Sequence, residues 1–78
     1  MVDKYIEGNP NRPGLANARI RGFGVSVWAL VGYLEAVHGD VSRVADDYRL
    51  PLEAVEAAVT YYRQYKQLID DRLEANAG

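Results

Sequence analysis

Apolar residues recur every three to four positions from Val27 onward, and before that point turn-forming residues interrupt them. Met1 to Ala16 reads as extended or irregular chain, with Tyr5-Ile6-Glu7 as a short strand. Gly8-Asn9-Pro10-Asn11-Arg12-Pro13-Gly14 is dense in turn formers, and its two prolines forbid a helix there. Ala18 to Val25 alternates imperfectly around Ile20 and Val25, and Gly22-Phe23-Gly24 predicts a tight hairpin turn.

The helical rhythm then starts at a defined place. Ser26 is a good N-cap, and Val25 before it can pack on Leu30 inside the first turns. Val27, Leu30, Val31, Leu34 and Val37 form one face, and Gly39 suits the left-handed residue that ends such a helix. Asp40 caps a second helix from Val41 to Tyr48, with Val41, Val44, Ala45 and Tyr48 inward. Arg49-Leu50 is a turn, and Pro51 fits the first position of a third helix, where a missing N–H costs nothing. From Leu52, the set Val55, Ala58, Val59, Tyr62, Tyr65, Ile69 and Leu73 keeps helical spacing without Gly or Pro. The third helix is therefore expected to run to about Glu74, with a bend near Tyr65 as the variant. The fold class that follows is mainly α: a three-helix core with a helix-turn-helix, a short N-terminal β-hairpin over residues 1–25 and an extended C-terminal helix, all in one domain of residues 1–78.

Length and charge narrow the function. A chain of 78 residues buries a small share of its surface, and natural domains of this size commonly add a disulfide, a metal or a partner subunit. No cysteine is present, and a single histidine makes a zinc site improbable, so a homodimer is expected, through the N-terminal strands and the first helix. A formal net charge of −2 gives no global attraction to nucleic acid or an anionic membrane. The apolar stretch around Val25 to Val37 is broken by Gly32 and Glu35 and falls short of a membrane span, and the amino terminus lacks a signal peptide's apolar centre. The expectation is a cytoplasmic, non-membrane protein without cofactors.

Val41 to Thr60 is the one constellation with mechanical meaning. A helix-turn-helix needs a small residue where its helices meet, and Ala45 supplies it; Val44, Tyr48, Leu50, Val55 and Ala58 fall at its apolar positions. Two helices of an ordinary bundle would fit the same pattern. The outward residues of the third helix, Leu52, Glu53, Glu56, Ala57 and Thr60, are not those that usually read bases. Positive charge lies nearby, in Arg12, Arg63 and Lys66 and in the four candidate phosphate contacts Arg19, Arg21, Arg43 and Arg49. Arg19 and Arg21 either grip phosphates or solvate an exposed strand.

Catalytic readings fail on geometry. Asp46-Asp47 and Asp70-Asp71 are helix neighbours that point apart and cannot share a proton. His38 has no nucleophile in sight, and Gly22-Phe23-Gly24 lacks the spacing of a phosphate loop. The chain is expected not to be an enzyme. Trp28, Tyr33, Tyr61 and Tyr62 are many large aromatics for one small core, which points to an interface. The stripe of Tyr65, Ile69 and Leu73 lies beyond what a helix-turn-helix needs, so Trp28, Tyr65, Ile69 and Leu73 are the candidate partner anchors. The opposite possibility is that the last helix folds back and buries them.

The run Ile20-Arg21-Gly22-Phe23-Gly24-Val25-Ser26-Val27-Trp28 resembles the opening signature of the bacterial family called domain of unknown function 433. Gly39-Asp40, Asp47-Tyr48, Leu52-Glu53-Ala54-Val55-Glu56-Ala57-Ala58, Tyr61-Tyr62 and Ile69-Asp70 are similar to its later blocks, so the resemblance covers roughly Asn11 to Leu73. This chain has Phe23-Gly24 where the family usually has Thr-Arg, and its turn between Tyr48 and Leu52 is one residue shorter than in many relatives. The resemblance implies an N-terminal hairpin joined to a helix-turn-helix. It also implies an antitoxin, paired with a PIN-like nuclease toxin; operator DNA is a further candidate partner in that reading. The alternative is a protein-interaction module that keeps the shape without binding DNA.

Overall fold

The computed structural model describes residues 4–9, 11 and 14–77. Expectations that rest on Pro10, Arg12 and Pro13 lie outside the described residues. Strand β1 (Ile6–Glu7) pairs antiparallel with β2 (Arg19–Ile20), placing Ile6 opposite Ile20 and Glu7 opposite Arg19. A 3₁₀ turn at Leu15–Asn17 precedes β2. Helices follow at Val27–Ala36 (α1), Val41–Tyr48 (α2), Leu52–Gln64 (α3) and Lys66–Ala77 (α4). The molecule is mainly helical with a short two-stranded N-terminal hairpin, as the apolar pattern predicts.

The glycine turn also forms, with a different partner for the strand. Phe23 N and Gly24 N both donate to Ile20 O, and the chain returns only as far as a single bridge between Arg19 and Ser26. Gly22 and Gly24 sit at φ 83° and 72°, which explains why Phe23 is flanked by glycine on both sides. The regular partner of β2 is thus β1, brought back across the intervening loop.

Helix ends explain most of the remaining boundaries. Ser26 occupies the N-cap of α1 with extended backbone, although its hydroxyl makes no cap bond. The Asp40 carboxylate does cap α2, accepting from Arg43 N. Both α1 and α2 end in the same paired arrangement. Gly39 N reaches Leu34 O while His38 N reaches Glu35 O, and Leu50 N reaches Ala45 O while Arg49 N reaches Asp46 O. This is a Schellman ending, which needs a left-handed residue just past the helix. The residues that take it are His38 (φ 58°) and Arg49 (φ 56°), neither of them glycine. Gly39, expected to end α1, is the next residue along and also has positive φ. Pro51 precedes α3 instead of opening it: its ψ of 143° is extended, while its carbonyl accepts from Ala54 N and Val55 N.

The core is one cluster drawn from both strands and all four helices. Ile20, Val27, Leu30, Val44, Ala54, Val55, Ala58 and Ile69 are fully enclosed. Ala45, Ala54 and Ala58 supply the small side chains where α2 and α3 cross each other and α1, so the steric demand of a helix-turn-helix is met. Leu50 is buried in the turn between them and Tyr48 is half-buried beside it.

The helical extension is present, set off by a break at Tyr65, where φ −121° and ψ 38° leave the helical region. Beyond the break α4 folds back against α1 and the 3₁₀ turn. Of the two destinations open to the candidate anchors on its apolar stripe, the helix takes the one on its own chain. Ile69 is completely buried, and Tyr65 and Leu73 pack on the core as partly buried residues. Gly32 permits this approach: a Cβ there would lie 3.1 Å from Leu73 Cδ2. The physical reason is economy of apolar surface, since a small domain leaves few other ways to cover α1.

Candidate functional site

The four candidate arginines do not form one patch. Arg19 is held by Glu7, Nε to Oε2 at 2.7 Å, a pairing fixed by the β1–β2 register. Arg21 reaches the same carboxylate at 3.7 Å and donates to Ile6 O at 3.2 Å. These strand arginines therefore brace the hairpin. Arg43 approaches Asp47 one turn along α2, at 3.5 Å. Arg49 is exposed in the turn before α3. Of the four, Arg49 is the one whose side chain makes no ion pair or hydrogen bond among the described residues.

The outward face of α3 carries Leu52, Glu53, Glu56 and Thr60, all exposed. Glu53 accepts from Tyr5 OH at 3.3 Å, and the Thr60 hydroxyl turns back onto Glu56 O. No arginine, lysine, asparagine or glutamine stands on this stretch of the helix, and its two carboxylates oppose a phosphate backbone.

The large aromatics are satisfied within the chain. Tyr61 is buried and donates to Leu15 O at 2.7 Å, its phenol pushed up by burial. The Tyr33 hydroxyl donates to Asp47, whose hydrogen bond raises the phenol above its usual value, and the ring packs on Tyr48 at 5.5 Å. Tyr62 donates to Asp70 at 2.6 Å and is likewise raised by that bond. Lys66 also binds Asp70, and the hydrogen bonds from Lys66 and then Tyr62 hold this carboxylate below its ordinary range. Trp28 lies under the guanidinium of Arg72, 4.5 Å from the ring centroid, and Arg72 also donates to Asn17 Oδ1. Trp28, Tyr33, Tyr61 and Tyr62 thus each have a partner within the chain: an arginine, an aspartate, a backbone carbonyl and an aspartate, respectively.

Carboxylate neighbours diverge as their spacing requires. Asp70 is taken by Tyr62 and Lys66, whereas Asp71 accepts from Gln67. His38 is exposed, past the end of α1. Among the described residues no group of His, Asp and Glu is placed to hold a metal ion.

Sequence reasoning placed Leu52 outward but missed the other exposed apolar residues. Phe23 at the tip of the glycine turn is 49% exposed and Leu15 is 50% exposed; Leu52 and Leu68 also stand largely in solvent. A bulky apolar residue between two glycines was the available signal at Phe23. Beside Leu15 lies a groove of about 490 Å³, bounded by β1, Ala18 and the end of α3 at Tyr61, Gln64 and Tyr65. Among the described residues no helix is long and apolar enough to cross a membrane.

A family model described as "Protein of unknown function (DUF433)" matches residues 15–62, from the 3₁₀ turn through most of α3, stopping short of α4. No curated protein and no solved structure matches the chain.

Proposed function

The chain belongs to the DUF433 family of proteins of unknown function, and on that footing we propose that it is the antitoxin-like member of a toxin–antitoxin pair. In this reading it is no enzyme and neutralises a PIN-like nuclease by direct binding. The observation that carries the proposal is the outer face of α3, where exposed Leu52 stands beside Glu53 and Glu56. A nuclease must attract a polyanion, so the surface that receives its substrate carries positive potential. An acidic helix face with an apolar residue at its edge is complementary to such a surface and competes with nucleic acid for it. Exposed Phe23 and Leu15 offer further apolar anchorage of the kind that concentrates binding energy.

A second reading is favoured by the same two glutamates. Placed where a helix-turn-helix would read bases, they oppose operator binding, which fits an interaction module that keeps the shape alone. The reading frame beside this gene separates the two: a PIN-like nuclease there supports the first. Co-expression with that nuclease is expected to yield a co-purifying complex with suppressed nuclease activity. Glu53→Lys with Glu56→Lys should weaken the complex while leaving the fold intact. A neighbouring nuclease that neither binds this chain nor loses activity to it would sink the proposal.

A further inference from the structure

We propose that α4 is an exchangeable element, and that straightening the chain at Tyr65 lets two copies swap their α4 helices to form a dimer. The break between α3 and α4 is one residue wide. Tyr65 N still donates to Tyr61 O at 3.0 Å and Tyr62 O at 3.2 Å, and Ile69 N donates to Tyr65 O at 3.1 Å. Helical bonding thus approaches the break from both sides. Nothing in the local sequence requires a break: residues 52–77 contain neither Gly nor Pro, and the apolar spacing runs through Tyr65 without a shift of phase. The break is imposed by packing, because only a bent chain can return Ile69 and Leu73 to its own α1.

Size then decides where a straightened helix must go. At about 1.5 Å per residue, a continuous helix over residues 52–77 is roughly 39 Å long. The longest extent of the whole molecule is 27 Å. Straightening therefore carries α4 off its own body and uncovers the Gly32 notch and Trp28 on α1. A second copy offers the same notch and the same Trp28, and its straightened α4 can refill them with identical contacts. Exchange of an identical element keeps every native interaction and changes only the hinge, which makes short hinges frequent sites of swapping. The occupant is a second copy of this chain because the vacated groove is shaped by α4's own residues: a glycine gap for Leu73, an indole for Arg72 and a fully enclosed seat for Ile69.

The test uses the absence of native cysteine. One chain carrying Gly32→Cys and another carrying Leu73→Cys are mixed, unfolded, refolded together at high concentration and oxidised. In a swapped dimer residue 32 of one chain meets residue 73 of the other, so a disulfide-linked heterodimer is expected on a denaturing non-reducing gel. A dimer joined through the N-terminal strands and α1, with α4 folded home, keeps those two positions on different bodies and gives none. A second pair of variants leaves the groove untouched. Tyr65→Ala and Tyr65→Gly remove the same ring, but Ala favours the straight hinge and Gly the bent one by about 1 kcal/mol per helix. With two hinges per dimer, light scattering should show dimerisation about thirty-fold tighter for Tyr65→Ala than for Tyr65→Gly. Equal dimerisation of the two variants, persistent monomer in both, or a dimer that yields no linked heterodimer would each overturn the proposal.

Discussion

Asp70 shows how much one side chain's surroundings can be read as a pH response. Its carboxylate accepts from Lys66 and Tyr62, and these bonds depress its pKa relative to the unfolded chain. A depressed carboxylate contributes stability above its unfolded value and loses that contribution as pH falls through the lower folded value. The window lies at and below the ordinary aspartate range, about pH 4. Thermal melts should therefore show a falling midpoint below about pH 4, and Asp70→Asn should lower the midpoint at neutral pH while flattening the acid limb. An acid limb of unchanged depth in Asp70→Asn would show that other carboxylates govern it. Spacing alone separated Asp70 from Asp71, but the tyrosine that reaches Asp70 from α3 lies across the break at Tyr65. That partner is illegible in the sequence because the pattern allows a bend near Tyr65 without giving its direction. The left-handed residues were half legible for a related reason. Gly39 announced the end of α1, yet the backbone bonds place His38 in the decisive position, and a sequence shows a preference for glycine and not the register of two carbonyls.

At the scale of elements, apolar residues three to four apart together with the turn and cap residues between them located α1, α2 and α3, although α1 is apolar nearly all round. The same spacing also identified the inward stripe of α4 while leaving its destination open, since an apolar stripe looks the same whether it meets its own chain or another. Adjacent residues on α4 now give opposite expectations. Ile69 is completely buried and Leu68 is 44% exposed. Ile69→Ala should cost about 2–5 kcal/mol in urea unfolding, as truncation in a packed core does. Leu68→Ala should stay within about 0.5 kcal/mol, the usual range for a surface change. Comparable losses at both positions would mean that α4 does not lie on α1 as described. The family match ends at residue 62, before this helix. The contacts of α4 with α1 join Leu73 to Gly32 and Arg72 to Trp28, so Gly32 and Trp28 lie within the matched segment and Arg72 and Leu73 beyond it.

For the whole molecule, the arrangement of charge matters more than its sum. Of the four candidate phosphate contacts, the fold commits three to carboxylates and leaves Arg49 exposed. Arg19 and Arg21 converge on Glu7, which is twelve residues from Arg19 in the chain and directly opposite it across the hairpin. Arg43 and Lys66 each pair with an aspartate one helical turn away. The exposed face of α3 adds Glu53 and Glu56, and the net charge is −2. A duplex would meet few uncommitted cations and two carboxylates where a recognition helix would enter its groove. Binding to duplex DNA should accordingly be no tighter than the non-specific range, roughly 10⁻⁴–10⁻⁶ M at physiological salt, and should weaken further as salt rises. Fluorescence anisotropy on a random duplex and on the region upstream of this gene makes the measurement. Arg19→Ala should act chiefly on stability, lowering the thermal midpoint by freeing Glu7, whereas Arg49→Ala should reduce whatever DNA affinity exists. Nanomolar binding to one upstream sequence, kept when Arg43 and Arg49 are both alanine, would show that bases are read from a surface other than the one these arginines flank.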